Sequence, residues 1–169
     1  SYSVTGVQTC ALPISVPATG DVCGRCYQLN FSGGGQHDNN PGAQALSSKG
    51  KVMIVQATNV GWDVGSSQFD LLIPGGGVGA FNGCAKQWGT TDLGAQYGGF
   101  LTECQSQSSN WITVKSCVYN KCQQVFGNKA DLMKGCDWFV NWFEAANNPR
   151  LLYKEVPCPA ALRNVSGMN

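Results

Sequence analysis

From Ser15 onward the chain reads as short apolar segments separated by turns rich in Gly, Asn and Pro, which predicts a β-rich barrel or sandwich. Cys26-Tyr27-Gln28-Leu29-Asn30-Phe31 alternates as a strand with one buried face does. Residues 51–58 (KVMIVQAT) are rich in β-branched side chains and predict a second strand. Residues 68–73 predict a third, stopped by Pro74 and three glycines, and 151–156 a last one. The stretch 32–49, with Gly33-Gly34-Gly35 and Asn39-Asn40-Pro41-Gly42, reads as a loop or broad turn. Residues 80–88 predict a short helix. Residues 137–146 (DWFVNWFEAA) carry aromatics at 138, 139, 142 and 143, a helical spacing, and Asn147-Asn148-Pro149 ends that helix. The segment 105–134 is polar and irregular, and Cys117 and Cys122 within it suit a small clipped hairpin. No internal repeat or linker divides the 169 residues, so one domain is expected.

Charge removes whole classes of partner. A net charge of +1, with 11 Lys and Arg scattered along the chain, supplies no basic face for nucleic acid. No apolar run approaches the ~20 residues needed to cross a membrane. A neutral ligand remains, and five Trp and five Tyr suit a carbohydrate. Nine cysteines in a chain of this length read as disulfides made in an oxidising compartment, hence a secreted protein. Cys23-Gly24-Arg25-Cys26 is a CxxC, but no second CxxC follows and His37 is the only histidine, so no metal or other cofactor is expected.

An odd cysteine count does not fit complete pairing. Residues 4–14 (VTGVQTCALPI) resemble the translation of a sequencing-library adapter, which makes 1–14 a non-native leader and Cys10 a non-native cysteine. The native set then falls to eight. The opening residues also lack the basic start and apolar run of an export signal, so a native N-terminal segment is expected to be missing.

Few carboxylates are available for chemistry. Hydrolysis of a glycosidic bond ordinarily takes two, ~6.5–9.5 Å apart when the reaction inverts the anomeric carbon. Asp70 in QFDLLIPGGGVG lies between Phe69 and Leu71, where loss of water favours a protonated carboxyl, the form a general acid must hold. Asp63 shares a turn-like segment with Trp62, which offers a flat face for a sugar. The plain alternatives are a turn cap for Asp63 and a structural hydrogen bond for Asp70. Asp21, Asp92, Asp131 and Glu155 read as solvated, and Glu103 and Glu144 as packing or surface residues. His37 reads as a loop histidine, and Trp138 and Trp142 as core. The run Gly75-Gly76-Gly77-Val78-Gly79 lacks the Lys-Ser/Thr of a phosphate loop.

Four segments resemble glycoside hydrolase family 45 in order and spacing: Cys23 to Leu29; 51–58 with Gly61-Trp62-Asp63; Gln68-Phe69-Asp70 through Pro74-Gly75-Gly76-Gly77-Val78-Gly79 to Cys84; and Gly135-Cys136-Asp137-Trp138 through Pro149 to Val156-Pro157-Cys158-Pro159-Ala160. The segment 105–134 is an extra insertion. The resemblance implies a six-stranded double-psi β-barrel with long loops and a short C-terminal helix over 15–169. It also implies a monomeric endo-β-1,4-glucanase that inverts, acting on cellulose or another β-1,4-glucan. Asp70 matches the general acid and Asp63 a supporting carboxylate; Trp62, Gln68 and Asn82 are expected to line the groove. The family's base is the Asp of a Tyr-Trp-Asp-Cys-Cys stretch, and no Tyr-Trp-Asp occurs here. Little or no activity is therefore expected of these residues by themselves.

The same resemblance implies disulfides Cys26–Cys158 and Cys104–Cys136, with Cys117–Cys122 as a local pair, and leaves Cys10, Cys23 and Cys84 uncertain. The rival reading is an expansin-like, non-hydrolytic wall-loosening protein, which shares the barrel and a related Phe-Asp motif. The PGGGVG block and the C-terminal helix favour the hydrolase. A barwin-like barrel gives no reason for that block.

Overall fold

The computed structural model describes residues 2–3, 22–58, 68–79 and 82–168. Within them a four-stranded sheet runs in the order β1-β3-β2-β4. Strand β2, Cys26–Gly35, is its long central member. It pairs antiparallel with β3, Val52–Gln56, on one side and with β4, Pro149–Val156, on the other. The two-residue β1, Tyr2–Ser3, runs parallel to β3. Sequence alternation explains the sheet's buried face: Leu29 stands opposite Met53, both fully buried, and Tyr27 stands opposite Val55.

Four strands among the described residues, beside six helices, make a sheet-plus-helix fold rather than the mainly β one expected. Three departures account for it. Helix α1, Pro41–Ser48, occupies ground read as a turn. Asn40 is its N-cap, with its Oδ1 accepting from Ala43 N at 2.8 Å, and Pro41 opens the first turn. The Asn-Pro pair was a helix start as well as a turn signal.

The largest departure is the segment read as irregular. It forms α3, Gly99–Gln107, α4, Trp111–Phe126, and α5, Ala130–Asp137. Along α4, Val114, Val118, Cys122 and Phe126 recur every four residues and are all buried, a narrow stripe within an otherwise polar helix. Asn110 caps it, accepting from Thr113 N at 3.1 Å. This overturns two expected disulfides. Five residues apart on one helix, Cys117 and Cys122 lie ~7.5 Å apart along the axis and ~140° apart around it, beyond a disulfide's reach. They turn to different neighbours instead: Cys104 of α3 bonds Cys117, and Cys122 bonds Cys136 of α5. The expected Cys104–Cys136 and Cys117–Cys122 pairs are thus exchanged for two that staple three helices in succession. Cys26 is joined to Cys158, which ties the start of β2 to the chain just beyond β4.

The third departure is 68–73, which forms no strand. The remaining elements lie near their predicted places. Helix α2 spans Cys84–Trp88, and a π-helical turn spans Trp138–Trp142 within the predicted aromatic helix. There Trp138 and Trp142 stack at 5.6 Å against the core. Helix α6, Ala160–Ser166, follows β4. No helix among the described residues is long and apolar enough to cross a membrane.

Candidate active site

Strand parity makes a groove. Side chains two apart share a sheet face, and the β2–β4 register sets Leu29 opposite Tyr153, Phe31 opposite Leu151 and Gly35 opposite Pro149. Residues of this face line a cavity of about 580 Å³, and Gln68, Phe69, Asp70 and Leu71 line it from another segment. Asp70 is half-buried and is the cavity's sole lining carboxylate among the described residues.

Phe69 places Asp70. Its ring meets Tyr153 edge-on at 5.1 Å and Tyr27 at 5.6 Å, while Tyr27 and Tyr153 meet at 6.0 Å. Three mutually edge-on rings are a favourable aromatic arrangement and fix the residue beside them. Burial pushes the Tyr27 phenol above its ordinary value of 10.0, and the nearby Glu155 carboxylate pushes it the same way, so it stays a neutral hydroxyl at neutral pH.

Downstream, 73–79 is held without any strand. Phe100 N donates to Gly75 O at 2.8 Å, and Val78 N and Gly79 N both donate to Gln96 O, at 3.0 and 2.9 Å. Gln96 Nε2 returns a bond to Gly79 O at 3.0 Å. Gly77 takes φ 105° with the backbone of Gln96, Gly98 and Gly99 pressed against it, and Gly75 takes φ 77° beneath the Phe100 ring. A side chain fits neither position, on both conformation and space. The glycine run is therefore a backbone clamp that carries Asp70's segment onto α3.

The opposite wall is a strained turn. Phe143 and Asn148 line the cavity, and between them the chain passes through left-handed backbone at Glu144 (φ 59°), Ala145 (φ 50°) and Asn148 (φ 41°). Each such residue costs on the order of 1–3 kcal/mol and persists only where its surroundings impose it. Here the Glu144 carboxylate, with its side chain only 8% exposed, meets Lys49 at 2.5 Å, Lys51 at 2.9 Å and Lys115 at 2.9 Å. Burial by itself raises the Glu144 pKa, but hydrogen bonds from the three lysines outweigh it and hold the group at about 2, an anion at working pH. Trp111 Nε1 donates to Glu144 O at 3.1 Å, and Lys51 Nζ donates to Trp142 O.

The sequence-predicted site is thus partly assembled. Asp70 and Gln68 share the cavity, where Gln68 Nε2 donates to Gln36 Oε1 at 3.2 Å. Asn82 is not on that lining; exposed, it accepts from Ala85 N at 3.1 Å just before α2. Trp62, Asp63 and Cys10 lie outside the described residues. Cys23 is exposed beside β2. The sequence reading missed His37, Arg150 and Tyr153, all on the cavity lining. Only Tyr153 carried a signal, since it shares parity with Leu151 on a predicted strand. His37 and Arg150 are brought in by the ends of β2 and β4. Glu144 was missed too, because its three lysines are distant in sequence. Among the described residues no cluster of side chains has the makings of a metal site.

An irregular segment thus brings one carboxylate to a groove lined by aromatic side chains. Against solved structures, the fold matches a cellulase from the Antarctic springtail Cryptopygus antarcticus with a TM-score of 0.66 and 34% identity, covering 92% of this chain and 62% of that one. Endoglucanase B of Cellvibrio japonicus is 55% identical over 169 residues, covering 95% of this chain and 33% of that protein. An endoglucanase of Cryptopygus antarcticus is 36% identical over 158 residues, 92% of this chain and 56% of its own. The model for glycosyl hydrolase family 45 matches residues 6–169. The chain belongs to glycosyl hydrolase family 45. It spans a third to a little over half the length of these curated relatives.

Proposed function

We propose that this domain is an endo-β-1,4-glucanase that cuts internal bonds of cellulose or a related β-1,4-glucan with inversion. The observation that carries the reading is Asp70 on the lining of the β2–β4 groove in a family 45 chain whose relatives are named endoglucanases. Asp70 protonates the leaving oxygen from its half-buried position beside Phe69 and Leu71. Gln68 contacts the sugar chain, and the exposed Tyr153 offers it an apolar face. Asp63 supports the acid and Trp62 extends the platform. The sheet is part of a six-stranded double-psi barrel, a reading supported by the likeness to the springtail cellulase. Three disulfides support secretion.

Inversion also needs a base, and no second carboxylate lines the cavity among the described residues. The test compares the full-length protein with its D70N variant on a soluble cellulose derivative. Asparagine keeps the shape and removes the proton, so turnover should fall by ~10²–10⁴-fold with cello-oligosaccharide binding retained. Turnover within a few-fold of the parent would remove Asp70 from the acid role. Binding to cellulose with no new reducing ends from the complete protein would favour the expansin-like alternative.

A further inference from the structure

We infer that Glu144 is a positioning residue for substrate, a buried anion that holds the turn 143–148 as one wall of the groove through Lys49, Lys51 and Lys115. The inference rests on the glucanase reading of that groove.

The turn's backbone does not persist by itself. Three non-glycine residues within five positions adopt left-handed conformations; Glu144 directly follows the C-cap of the π-helical turn and Asn148 is a type that tolerates such backbone, but Ala145 is neither a glycine nor an asparagine. Such strain survives only where the surroundings over-determine it, and it clusters at functional sites. Here every side of the turn is pinned to a different element. Lys49 follows α1, Lys51 precedes β3 and Lys115 stands on α4, and all three converge on one carboxylate. The backbone of the turn adds Trp111 Nε1 to Glu144 O, Asn40 Nδ2 to Asn147 O at 2.8 Å, and Gln36 N to Asn148 O at 2.8 Å. Gly42 lies so close beneath Glu144 O that it has no room for a Cβ.

The ends of this turn reach the groove. Phe143 and Asn148 line it directly, and Pro149, Arg150 and Leu151 continue the lining into β4. Phe143 also packs edge-on against Phe31 of the floor at 5.6 Å. Asp70 is carried by a separate segment, clamped to α3 through the glycine run. Loosening the turn should therefore disturb where the glucan lies more than it disturbs the proton donor.

This separates a positioning role from a merely structural one. A residue that only stabilises the fold lowers the fraction of active protein and leaves the KM of the survivors unchanged. The decisive variant is Glu144→Gln in the complete protein, with Lys115→Met as a milder second that leaves Glu144 paired to Lys49 and Lys51. Expected are a rise in KM for a soluble cellulose derivative of about tenfold in E144Q with kcat within about twofold, and a smaller rise in K115M. Amide exchange over 144–151 should quicken in both. If E144Q fails to fold, K115M carries the same readouts. Unchanged exchange over the turn would overturn the inference, whatever the protein hydrolyses. Faster exchange with an unchanged KM would overturn it as well. A parent protein that hydrolyses no β-glucan but binds cello-oligosaccharide would sink the glucanase reading, and the variant's binding constant would then decide the wall's role.

Discussion

Two segments outside the sheet solve the same problem in opposite ways. Residues 68–79 have no regular structure, yet Asp70 needs them fixed. Residues 99–137 are almost entirely helical, yet their composition is polar and their apolar stripe narrow. The first is held by close backbone approach, with glycines admitting Gln96 and Phe100, and by Phe69 wedged between two tyrosines. The second is held covalently, by disulfides that join α3 to α4 and α4 to α5. Regular structure and rigidity are therefore separate properties here. Helices that bury little need staples, and a loop that buries its own backbone against a helix needs none.

That contrast can be broken most strongly at the staples. Replacing Cys104 and Cys117 together by Ser opens a loop of sequence separation 13 and should cost about 3 kcal/mol, read as a fall in the denaturant midpoint. Non-reducing peptide mapping should recover Cys104 with Cys117 and Cys122 with Cys136. A Cys117–Cys122 peptide would contradict the continuous α4.

Acid should loosen the same region through Glu144. Its pKa lies near 2 when folded against an ordinary 4.5, so folding favours the ionised form. That stability is fully present above about pH 4.5 and is lost as pH falls toward 2, on the order of 3 kcal/mol in all. Denaturant midpoints from pH 5 to pH 2 in the parent and E144Q should converge; parallel curves would show that Glu144 is not the titrating group.

On the loop side, Gly77→Ala should destabilise by about 2 kcal/mol, since it adds both a strained φ and a contact with the Gln96 backbone. It should lower turnover by more than Gly50→Ala, a left-handed glycine with nothing within 4 Å. Equal effects would deny the clamp. The smallest effect belongs to Asn110→Ala, which removes the α4 cap and should cost about 1 kcal/mol in thermal unfolding with little change in KM.

The sequence by itself determined the strands β2 and β3, because period-two alternation and β-branched runs report burial of one face directly. It also determined the family, because Phe69-Asp70 and the glycine run after it are specific in type and spacing. A clamp that admits no Cβ can be written only with glycine, which is why that block was readable. What the tertiary structure decided is whatever depends on partners remote in sequence. The helices of 99–137 were obscured because a stripe of Val114, Val118, Cys122 and Phe126 is narrow against a polar background, and with them went the true cysteine pairing. Glu144 looked ordinary because Lys49, Lys51 and Lys115 lie 29 to 95 residues away. Its role depends on charges that only the folded chain brings together, and no local pattern records them.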